Sequence, residues 1–253
     1  MNNPILFDRI IIGWLALAAI VFFVLRLISA PYGKHARSGW GPSINSTVGW
    51  IVMEAPASIG LACCFGFSDS TRSITAWIFV GLWQAHYLYR AFFYPFTLMG
   101  KSKPVPWSVV IIGLIFNTAN SLLHGAYLFF LSEGYPDAWI LDARFIGGTT
   151  LYLGGTVINR QSDAILNRLR STGDMSYKIP YGSMYQWISC PNYFGEIVLW
   201  LGWAIATWSL PGLAFSLWTV ANLAPRAKAH HLWYRNYFAD YPARRKALIP
   251  WLW

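Results

Sequence analysis

The stretch CPNYFGEIVLWLGWAIATWSL, residues 190–210, is an apolar and aromatic run that contains one carboxylate, Glu196. Its length matches the roughly 20 residues that a helix needs to cross the hydrocarbon core of a bilayer. An ionisable side chain in the middle of such a helix costs about 3 kcal/mol to insert. The stretch therefore predicts a membrane helix and marks Glu196 as a candidate functional residue.

The composition of the whole chain is also that of a membrane protein. Hydrophobic residues make up 56% of the 253 residues and aromatic residues 18%, while only 11% are charged; soluble domains carry roughly 25% charged residues. The first apolar run lacks a small-residue cleavage site and further runs follow it, which indicates a retained helix rather than a signal peptide. We predict an all-α integral membrane bundle of about seven transmembrane helices, at residues 8–28, 46–66, 73–98, 106–131, 144–160, 192–209 and 211–226.

The positive charge is unevenly distributed between the predicted loops. The net charge is +9, from 19 Lys and Arg against 10 Asp and Glu. If the amino terminus lies outside, fifteen basic residues fall in inner segments and three in outer ones, and Arg90 inside a span accounts for the last of the 19. Cytosolic loops of membrane proteins carry such an excess, so we expect the carboxyl terminus in the cytosol and no nucleic-acid partner.

The chain reads as one multi-pass membrane domain over residues 1–253. Its cytosolic segments are the loops near 99–106 and 159–187 and the tail 226–253, and we expect them to form one side of the protein, where a cofactor binds. Apolar residues between 158 and 169 can share one stripe, which predicts an interfacial helix at the start of the second loop.

Polar residues recur at a spacing of four near the predicted cytosolic surface, so they share helix faces. They are Asn159, Asp163, Asn192, Glu196, Arg226, His230 and Tyr234. Carboxylates and amides suit the ribose hydroxyls and carboxamide of a nucleotide, and the nearby loops add Lys101, Lys103 and Arg170 for its phosphates. The alternative is a set of ordinary polar contacts between membrane helices.

A second polar set lies deeper, in the second and third predicted helices. Glu54 follows Trp50 by four residues, and Tyr87, Arg90 and Tyr94 share one face of the next helix. A carboxyl group beside a tyrosine phenol can polarise a carbonyl oxygen and stabilise an enolate-like transition state. The alternative is a buried ion pair between Glu54 and Arg90.

Metal and soluble-type nucleotide chemistry are not indicated. The five His residues are fewer than the clustered sets that membrane di-iron enzymes use, and only two of them are adjacent. Three Cys residues, Cys63, Cys64 and Cys190, show neither metal spacing nor a disulfide framework, and no Gly-rich phosphate fingerprint follows a strand. We therefore expect no metal.

Six separated stretches together resemble one known family. PNYFGEIVLWLGWAIATWSLP and HLWYRNYFADYPARRKALIPWLW are similar to the carboxyl-terminal signature of the steroid 5α-reductase family. APYGKH, HYLYRAFFYPF, YPDAWILDARF and MSYKIPYG resemble the family pattern in the same order. The resemblance covers nearly the whole chain.

The resemblance implies a seven-helix membrane enzyme that binds NADPH from the cytosolic side and takes a 3-oxo-Δ4 steroid from the bilayer. Hydride would pass to C5 of the steroid, after which C4 is protonated. The positions that match the family's catalytic residues are Tyr87 and Glu54. Those that match its cofactor-binding residues are Lys103, Asn159, Asp163, Arg170, Tyr177, Asn192, Glu196, Arg226, His230 and Tyr234. Those that match its steroid-pocket residues are Trp50, Phe116 and Met53.

Two of these assignments carry a specific expectation. Met53 stands where vertebrate members have Gln, so one hydrogen bond to the steroid or to the catalytic Glu is lost and substrate preference is open. The match implies that Glu196 accepts hydrogen bonds from the nicotinamide carboxamide, with ligand contacts rather than a structural partner offsetting the cost of its burial.

Other functions fit parts of the pattern. Isoprenylcysteine-type methyltransferases have a related helical core, but their cofactor has no phosphate to meet the basic loops. Sterol C14 or C7 reductases and long-chain enoyl reductases transfer hydride in the same way to other alkenes. A seven-helix sensor or transporter would perform no chemistry. The membrane would be the endoplasmic reticulum in a eukaryote or the inner membrane in a bacterium, and the physiological steroid and oligomeric state stay open.

Overall fold

The computed structural model describes residues 4–29, 31, 33–68, 73–98, 103–169 and 176–253, and these are largely helical. The α-helices are α1 Pro4–Leu27, α2 Ser46–Gly66, α3 Ile74–Leu88, α4 Tyr94–Thr97, α5 Trp107–Ala126, α6 Ala143–Arg168, α7 Pro191–Thr207 and α8 Leu210–Tyr237. Two π-helical turns, Tyr89–Phe93 and Tyr127–Leu131, follow α3 and α5, and 3₁₀ turns cover Gly33–His35, Asp137–Leu141 and Ser183–Gln186. The strands β1 Ser43–Ile44 and β2 Val105–Pro106 form one short antiparallel pair.

Every predicted span is confirmed as a helix, and short polar side chains begin several of them. Asn45 caps α2 by accepting from the backbone N–H of Thr47 at 2.9 Å, and Ser73 and Ser209 cap α3 and α8 in the same way. Such caps satisfy backbone donors that have no partner within the first turn. The pattern of apolar runs and flanking polar residues therefore located the helices well.

Within the described residues, three helical segments are long and apolar enough to cross a bilayer: Pro4–Leu27, Ser46–Gly66 and Trp107–Leu131. They agree with a membrane protein. The remaining predicted spans form helices that are interrupted, shorter or more polar, so the count of seven crossings and the orientation stay predictions.

Two helices extend beyond the predicted spans. The loop predicted from residue 159 is helical to Arg168, because α6 continues without a break instead of ending and restarting as a separate interfacial helix. Likewise α8 runs to Tyr237, well past the predicted end at 226. Residues 227–235 include Ala, Lys, Leu and Arg, which favour helix.

The chain divides into two compact units. Unit 1 comprises Met1–Arg9 and Pro31–Phe145, and unit 2 comprises Ile10–Ala30 and Ile146–Trp253. Unit 1 therefore holds α2 to α5 with the strand pair, and unit 2 holds α7 and α8 with most of α1 and α6. The two groups of candidate site residues fall largely in different units.

In unit 1, side chains of neighbouring helices donate hydrogen bonds to the carbonyl groups around Pro56 in the middle of α2. Asn117 donates to the carbonyl oxygen of Met53 at 2.7 Å, and Trp83 donates to that of Ala57 at 2.8 Å. Ser121 donates to Pro56 itself at 3.3 Å. These hydrogen bonds join α2 to α3 and α5 on both sides of its proline.

In unit 2, glycines spaced seven apart bring the backbones of α6 and α7 together. A Cβ atom on Gly148 would lie 2.6 Å from the carbonyl oxygen of Gly202, and one on Gly155 would lie 2.6 Å from that of Gly195. Real Cβ atoms do not approach backbone so closely, so any larger residue would separate the helices. Small residues allow this kind of close packing in membrane helices.

Candidate functional site

The polar residues of α6 and α7 form a hydrogen-bonded network, which we call the α6–α7 network: Asn159, Asp163, Asn192 and Glu196. The side-chain amide of Asn159 donates to Glu196 Oε2 at 2.8 Å and to the carbonyl oxygen of Asn192 at 3.0 Å. The amide of Asn192 donates to Asp163 Oδ1 at 3.1 Å. Asn159 and Asp163 are buried, so the network places two carboxylates and two amides together within the protein.

The pairs cross between helices instead of running along one helix. The sequence predicted that Asn159 shares a face with Asp163, and Asn192 with Glu196. In the structure each amide bonds a carboxylate on the other helix, because the glycine contacts hold α6 and α7 close together. The spacing identified the four residues, and the packing selected their partners.

Glu196 has protein partners for both of its carboxylate oxygens. Besides Asn159 on Oε2, the indole N–H of Trp200 donates to Oε1 at 3.1 Å. The expectation that ligand contacts rather than a structural partner offset its burial is therefore wrong. Trp200 lies one turn further along α7, so the sequence contained a signal for this contact that was missed.

Aromatic residues of α8 pack against rings of α7, of the segment before α7 and of the tail. The His230 ring lies 5.5 Å from that of Tyr193 on α7. Tyr234 is buried and stacks on Tyr241 with ring centroids 5.3 Å apart, and Tyr177 meets Trp233 edge to face at 4.8 Å. α8 thus presents His230 and Tyr234 along one stripe, as the four-residue spacing predicted.

The basic residues predicted to bind the cofactor differ in burial and in the unit to which they belong. Arg226 is half-buried on α8, and Lys103 is exposed in unit 1 just before β2. Arg170 and Lys101 lie outside the described residues. Which cation meets a phosphate stays a prediction.

Glycines 148, 155, 195 and 202 are packing residues of the candidate site that the sequence reasoning missed. A Cβ atom on Gly195 would lie 2.5 Å from the backbone nitrogen of Asn159, so this glycine is in contact with the network itself. The signal was present as two Gly-Gly pairs seven residues apart, at 147–148 and 154–155.

In unit 1 the carboxylate of Glu54 lies among polar side chains from two other segments. Arg90 Nε lies 3.8 Å from Glu54 Oε1, and the amide of Asn117 lies 3.4 Å from Oε2. The ion pair that the sequence left open as an alternative is therefore present, although both contacts are long. Asn117 was not predicted; its signal is an amide within the largely apolar α5, which also contains Asn120.

The π-helical turn after α3 places Arg90. Pro95 has no N–H to donate to the carbonyl of Ala91, and the backbone N–H of Tyr94 bonds instead to Tyr89, five residues back. The guanidinium of Arg90 then lies over the rings of Trp50 and Tyr94, at 4.9 and 5.0 Å from their centroids. Single π-helical turns within α-helices are frequent at functional sites.

Tyr87 is buried at the end of α3, with 2% of its surface exposed. Its ring lies 4.9 Å from that of Trp83 and 5.0 Å from that of His86. Tyr87 and Glu54 occupy neighbouring helices of the same unit. A hydrogen bond between them stays a prediction.

The predicted steroid-site residues also lie in unit 1. Trp50 meets Tyr94 edge to face at 6.1 Å, and Phe116 on α5 is half-buried. Met53 is buried in a cluster with Val105 and Val110. Trp50, Met53 and Phe116 thus belong to the two helices that carry Glu54 and Asn117.

Comparison with known proteins identifies relatives over nearly the full length. The family model described as 3-oxo-5-alpha-steroid 4-dehydrogenase matches residues 103–253. The protein 3-oxo-5-alpha-steroid 4-dehydrogenase 1 of Bos taurus is 38% identical over 241 residues, which cover 94% of this chain and 93% of the relative. Steroid 5-alpha-reductase DET2 of Gossypium hirsutum is 35% identical over 256 residues, 100% of this chain and 99% of the relative. The human 3-oxo-5-alpha-steroid 4-dehydrogenase 2 is 38% identical over 240 residues, 94% and 92% of the two chains.

Proposed function

Because the chain belongs to the 3-oxo-5α-steroid 4-dehydrogenase family, an oxidoreductase family, we propose that it reduces 3-oxo-Δ4 steroids to 5α-reduced 3-oxo steroids with NADPH. The observation that carries the proposal is the α6–α7 network. Its two amides and two carboxylates, gathered in a largely apolar unit, have the hydrogen-bonding groups that a nicotinamide nucleotide needs. Full-length similarity to steroid 5α-reductases supports the choice of substrate.

In this proposal the α6–α7 network holds the nicotinamide ribose and carboxamide. Asn159 and Glu196 already bond each other, so the bound carboxamide meets groups whose orientation is set beforehand. Preorganised partners reduce the entropy lost on binding. His230 and Tyr234 on α8, with Tyr177, supply ring surfaces for the rest of the nucleotide.

When bound, NADPH supplies a hydride to C5 of the steroid. The protein's part is to polarise the enone: Tyr87 donates a hydrogen bond to the C3 oxygen, on which negative charge develops as the hydride arrives. The electron pair of the Δ4 bond shifts to make a C3 enolate, a proton then adds at C4, and the C3 carbonyl forms again.

Glu54 orients the phenol of Tyr87 in this scheme, while Arg90 and Asn117 hold the carboxylate. The contacts of 3.8 and 3.4 Å to Arg90 and Asn117 are longer than most hydrogen bonds, and the proposal gives Glu54 a hydrogen bond from Tyr87 in addition to them. Trp50, Met53 and Phe116 provide the apolar and aromatic surface for the steroid, which enters from the bilayer.

The preference for NADPH over NADH is assigned to the 2′-phosphate and the basic residues of the cytosolic segments, Lys103, Arg170 and Arg226. Lys103→Ala and Arg170→Ala should each be assayed with both cofactors. The preference for NADPH should fall in at least one of them, and an unchanged preference in both would remove these residues from the assignment.

The decisive test uses the protein purified in detergent with NADPH and a panel of 3-oxo-Δ4 steroids. We expect steroid-dependent oxidation of NADPH, 5α stereochemistry in the product, and deuterium at C5 when the cofactor carries deuteride. Reduction of a C7, C14 or enoyl double bond instead would assign the chain to a related reductase. Binding of S-adenosylmethionine with no oxidation of NADPH would favour a methyltransferase.

A membrane location follows from the apolar helices in the same proposal, with seven crossings, the amino terminus outside and the cofactor side in the cytosol. Reporter fusions at the two termini of the whole chain would test the orientation. Both reporters active on the same side would contradict an odd number of crossings.

A further inference from the structure

One hydroxyl group in unit 2, that of Ser189, connects three parts of the chain. Ser189 Oγ lies 2.6 Å from His231 Nδ1 on α8 and 2.7 Å from the phenol oxygen of Tyr241 in the tail. It also donates to the carbonyl oxygen of Lys246 at 3.1 Å. Ser189 is only 3% exposed, so water does not readily replace these partners. None of these four residues was predicted as a site residue.

The chemistry of the partners sets the direction of each hydrogen bond. A carbonyl oxygen only accepts, so the single hydroxyl hydrogen of Ser189 points to Lys246. His231 Nδ1–H and the phenol of Tyr241 must then both donate to Ser189 Oγ for all three bonds to form. His231 therefore carries its proton on Nδ1 when neutral.

Backbone hydrogen bonds strengthen the same contact between Ser189, His231, Tyr241 and Lys246, which we call the Ser189 junction. The N–H of Ser189 donates to the Lys246 carbonyl at 2.8 Å, and the N–H of Lys246 donates to the Trp187 carbonyl at 2.9 Å. The guanidinium of Arg245 lies between the rings of Tyr181 and Tyr241, at 4.9 and 5.2 Å from their centroids. The tail is thus fastened to the segment that leads into α7.

Ser189 and two of its partners, His231 and Tyr241, each adjoin a residue of the proposed nucleotide site. Ser189 lies two residues before Pro191, where α7 begins, and that helix carries Asn192 and Glu196 in its first turns. His231 follows His230 directly along α8. Tyr241 stacks on Tyr234 at 5.3 Å. The Ser189 hydroxyl therefore couples the start of α7 to the α8 face that presents His230 and Tyr234.

We infer that Ser189 is a positioning residue for the nucleotide, which holds the start of α7 and the His230 face of α8 in the register that the cofactor requires. The inference rests on the proposed function, because it assigns the nucleotide to these two surfaces. Ser189 does not touch the cofactor in this account. Its removal acts on the Michaelis constant for NADPH and on cofactor affinity, and leaves the steroid contacts in unit 1 intact.

The test compares Ser189→Ala with Ser189→Thr, which keeps the hydroxyl group, and with Ser183→Ala. Ser183 is an exposed serine of the same segment whose hydroxyl lies 3.4 Å from Gln161, so it serves as the matched control. We expect Ser189→Ala to raise the KM for NADPH roughly tenfold, which corresponds to the net effect of one or two hydrogen bonds. The kcat at saturating NADPH and the KM for steroid should change less than threefold, and Ser189→Thr and Ser183→Ala should behave as the wild type.

A second pair of variants keeps the inference testable if Ser189→Ala does not fold. In His231→Asn the side-chain amide can take the place of Nδ1–H, and in His231→Leu no donor remains. The KM for NADPH should be near normal in His231→Asn and raised in His231→Leu. Equal values in these two proteins, or an unchanged KM in a folded Ser189→Ala, would overturn the inference.

Measurements of turnover and of NADPH binding by the wild type distinguish a failure of this inference from a failure of the proposed function. Failure of the wild type to oxidise NADPH with any 3-oxo-Δ4 steroid would end the proposed reaction. In that event NADPH affinity is measured directly, by the fluorescence of the bound nucleotide. A wild type that binds NADPH and a Ser189→Ala protein that binds it more weakly would still support Ser189 as a positioning residue, whereas equal affinities, or no binding by the wild type, would overturn it.

Discussion

The two polar regions of the molecule differ in the lengths of the contacts that their carboxylates make. In unit 2 the four members of the α6–α7 network are joined by hydrogen bonds of 2.8 to 3.1 Å. In unit 1 the carboxylate of Glu54 has contacts of 3.4 and 3.8 Å. The first region is thus a set of ordinary-length hydrogen bonds between two helices, whereas the contacts of Glu54 with Asn117 and Arg90 are longer.

This difference matches the two tasks that we propose. A nucleotide site benefits from groups that are already oriented, because ordering them on binding costs affinity. A catalytic carboxylate must respond to a phenol and a carbonyl whose charge changes during the reaction, so its strongest contacts should form late. We therefore expect variants that affect the rate at saturating cofactor in unit 1 and, Lys103 apart, variants that affect cofactor affinity in unit 2.

The largest effect is expected in unit 1, for Tyr87→Phe. This variant keeps the ring packing on Trp83 but removes the donor to the C3 oxygen, so kcat should fall roughly 100-fold or more. The KM for NADPH should stay within twofold, and steady-state kinetics at saturating steroid would measure both constants. Near-normal turnover would remove Tyr87 from the mechanism, and the assignment of the catalytic step to unit 1 would lose its main support.

The next effect concerns the close packing in unit 2, through Gly155→Ala and its matched control Gly154→Ala. A Cβ on Gly155 meets backbone of α7, while one on Gly154 meets nothing within 4 Å. We expect Gly155→Ala to lose about 1–3 kcal/mol of stability together with NADPH affinity. Thermal unfolding in detergent should show a lower Tm for Gly155→Ala alone. Equal Tm values would mean that α6 and α7 do not require this contact.

A smaller effect is expected for Glu196→Gln. One amide oxygen can still accept from Asn159 or from Trp200, but the charge-assisted character of the bond is lost. The KM for NADPH should rise roughly tenfold, in keeping with about 1.5 kcal/mol for a hydrogen bond to a charged group, and kcat should change less. A fall in kcat with an unchanged KM would place Glu196 in the chemical step instead of in cofactor binding.

The smallest effect is a pH dependence at the Ser189 junction. Burial lowers the pKa of His231, and the positive charges of Arg235 and Lys246 add to this effect. A lowered pKa means that the folded protein disfavours protonation, so the stability contributed here is complete above the unfolded pKa of about 6.5 and is lost as the pH falls below it. The wild type should lose more Tm between pH 8 and pH 5.5 than His231→Asn. Equal losses of Tm in the two proteins would show that protonation of His231 does not lower the stability of the folded protein.

Much of the fold was predictable, because a long apolar run can satisfy its backbone in a membrane only as a helix. The caps at Asn45 and Ser73, which the prediction did not use, begin α2 and α3 in the structure. Helix between 158 and 169 was predicted, but its continuity with the preceding span was missed, since polarity was taken to end the span and to separate it from an interfacial helix. The glycine pairs were missed for a different reason: a glycine in a helix marks close packing only when the neighbouring helix is known.

Within the candidate site, the residue types and their spacing identified Asn159, Asp163, Asn192 and Glu196. Their partners were not predictable, because Asn159 and Glu196 are 37 residues apart and meet only through the packing of α6 on α7. Asn117 and Ser189 were not found at all. One polar residue in an apolar helix, or one serine in a loop, gains meaning only from what lies opposite it.

The sequence by itself determined the family, the helical architecture and the positions of polar side chains within apolar runs, because hydrophobic length and residue spacing are local properties. Tertiary structure decided which of those side chains meet. The crossed α6–α7 pairs, the placement of Arg90 by a π-helical turn and the Ser189 junction with residues 42 and 57 positions away all depend on which helix surfaces touch. The physical reason is that hydrogen bonds act over about 3 Å, and only packing brings distant segments within that range.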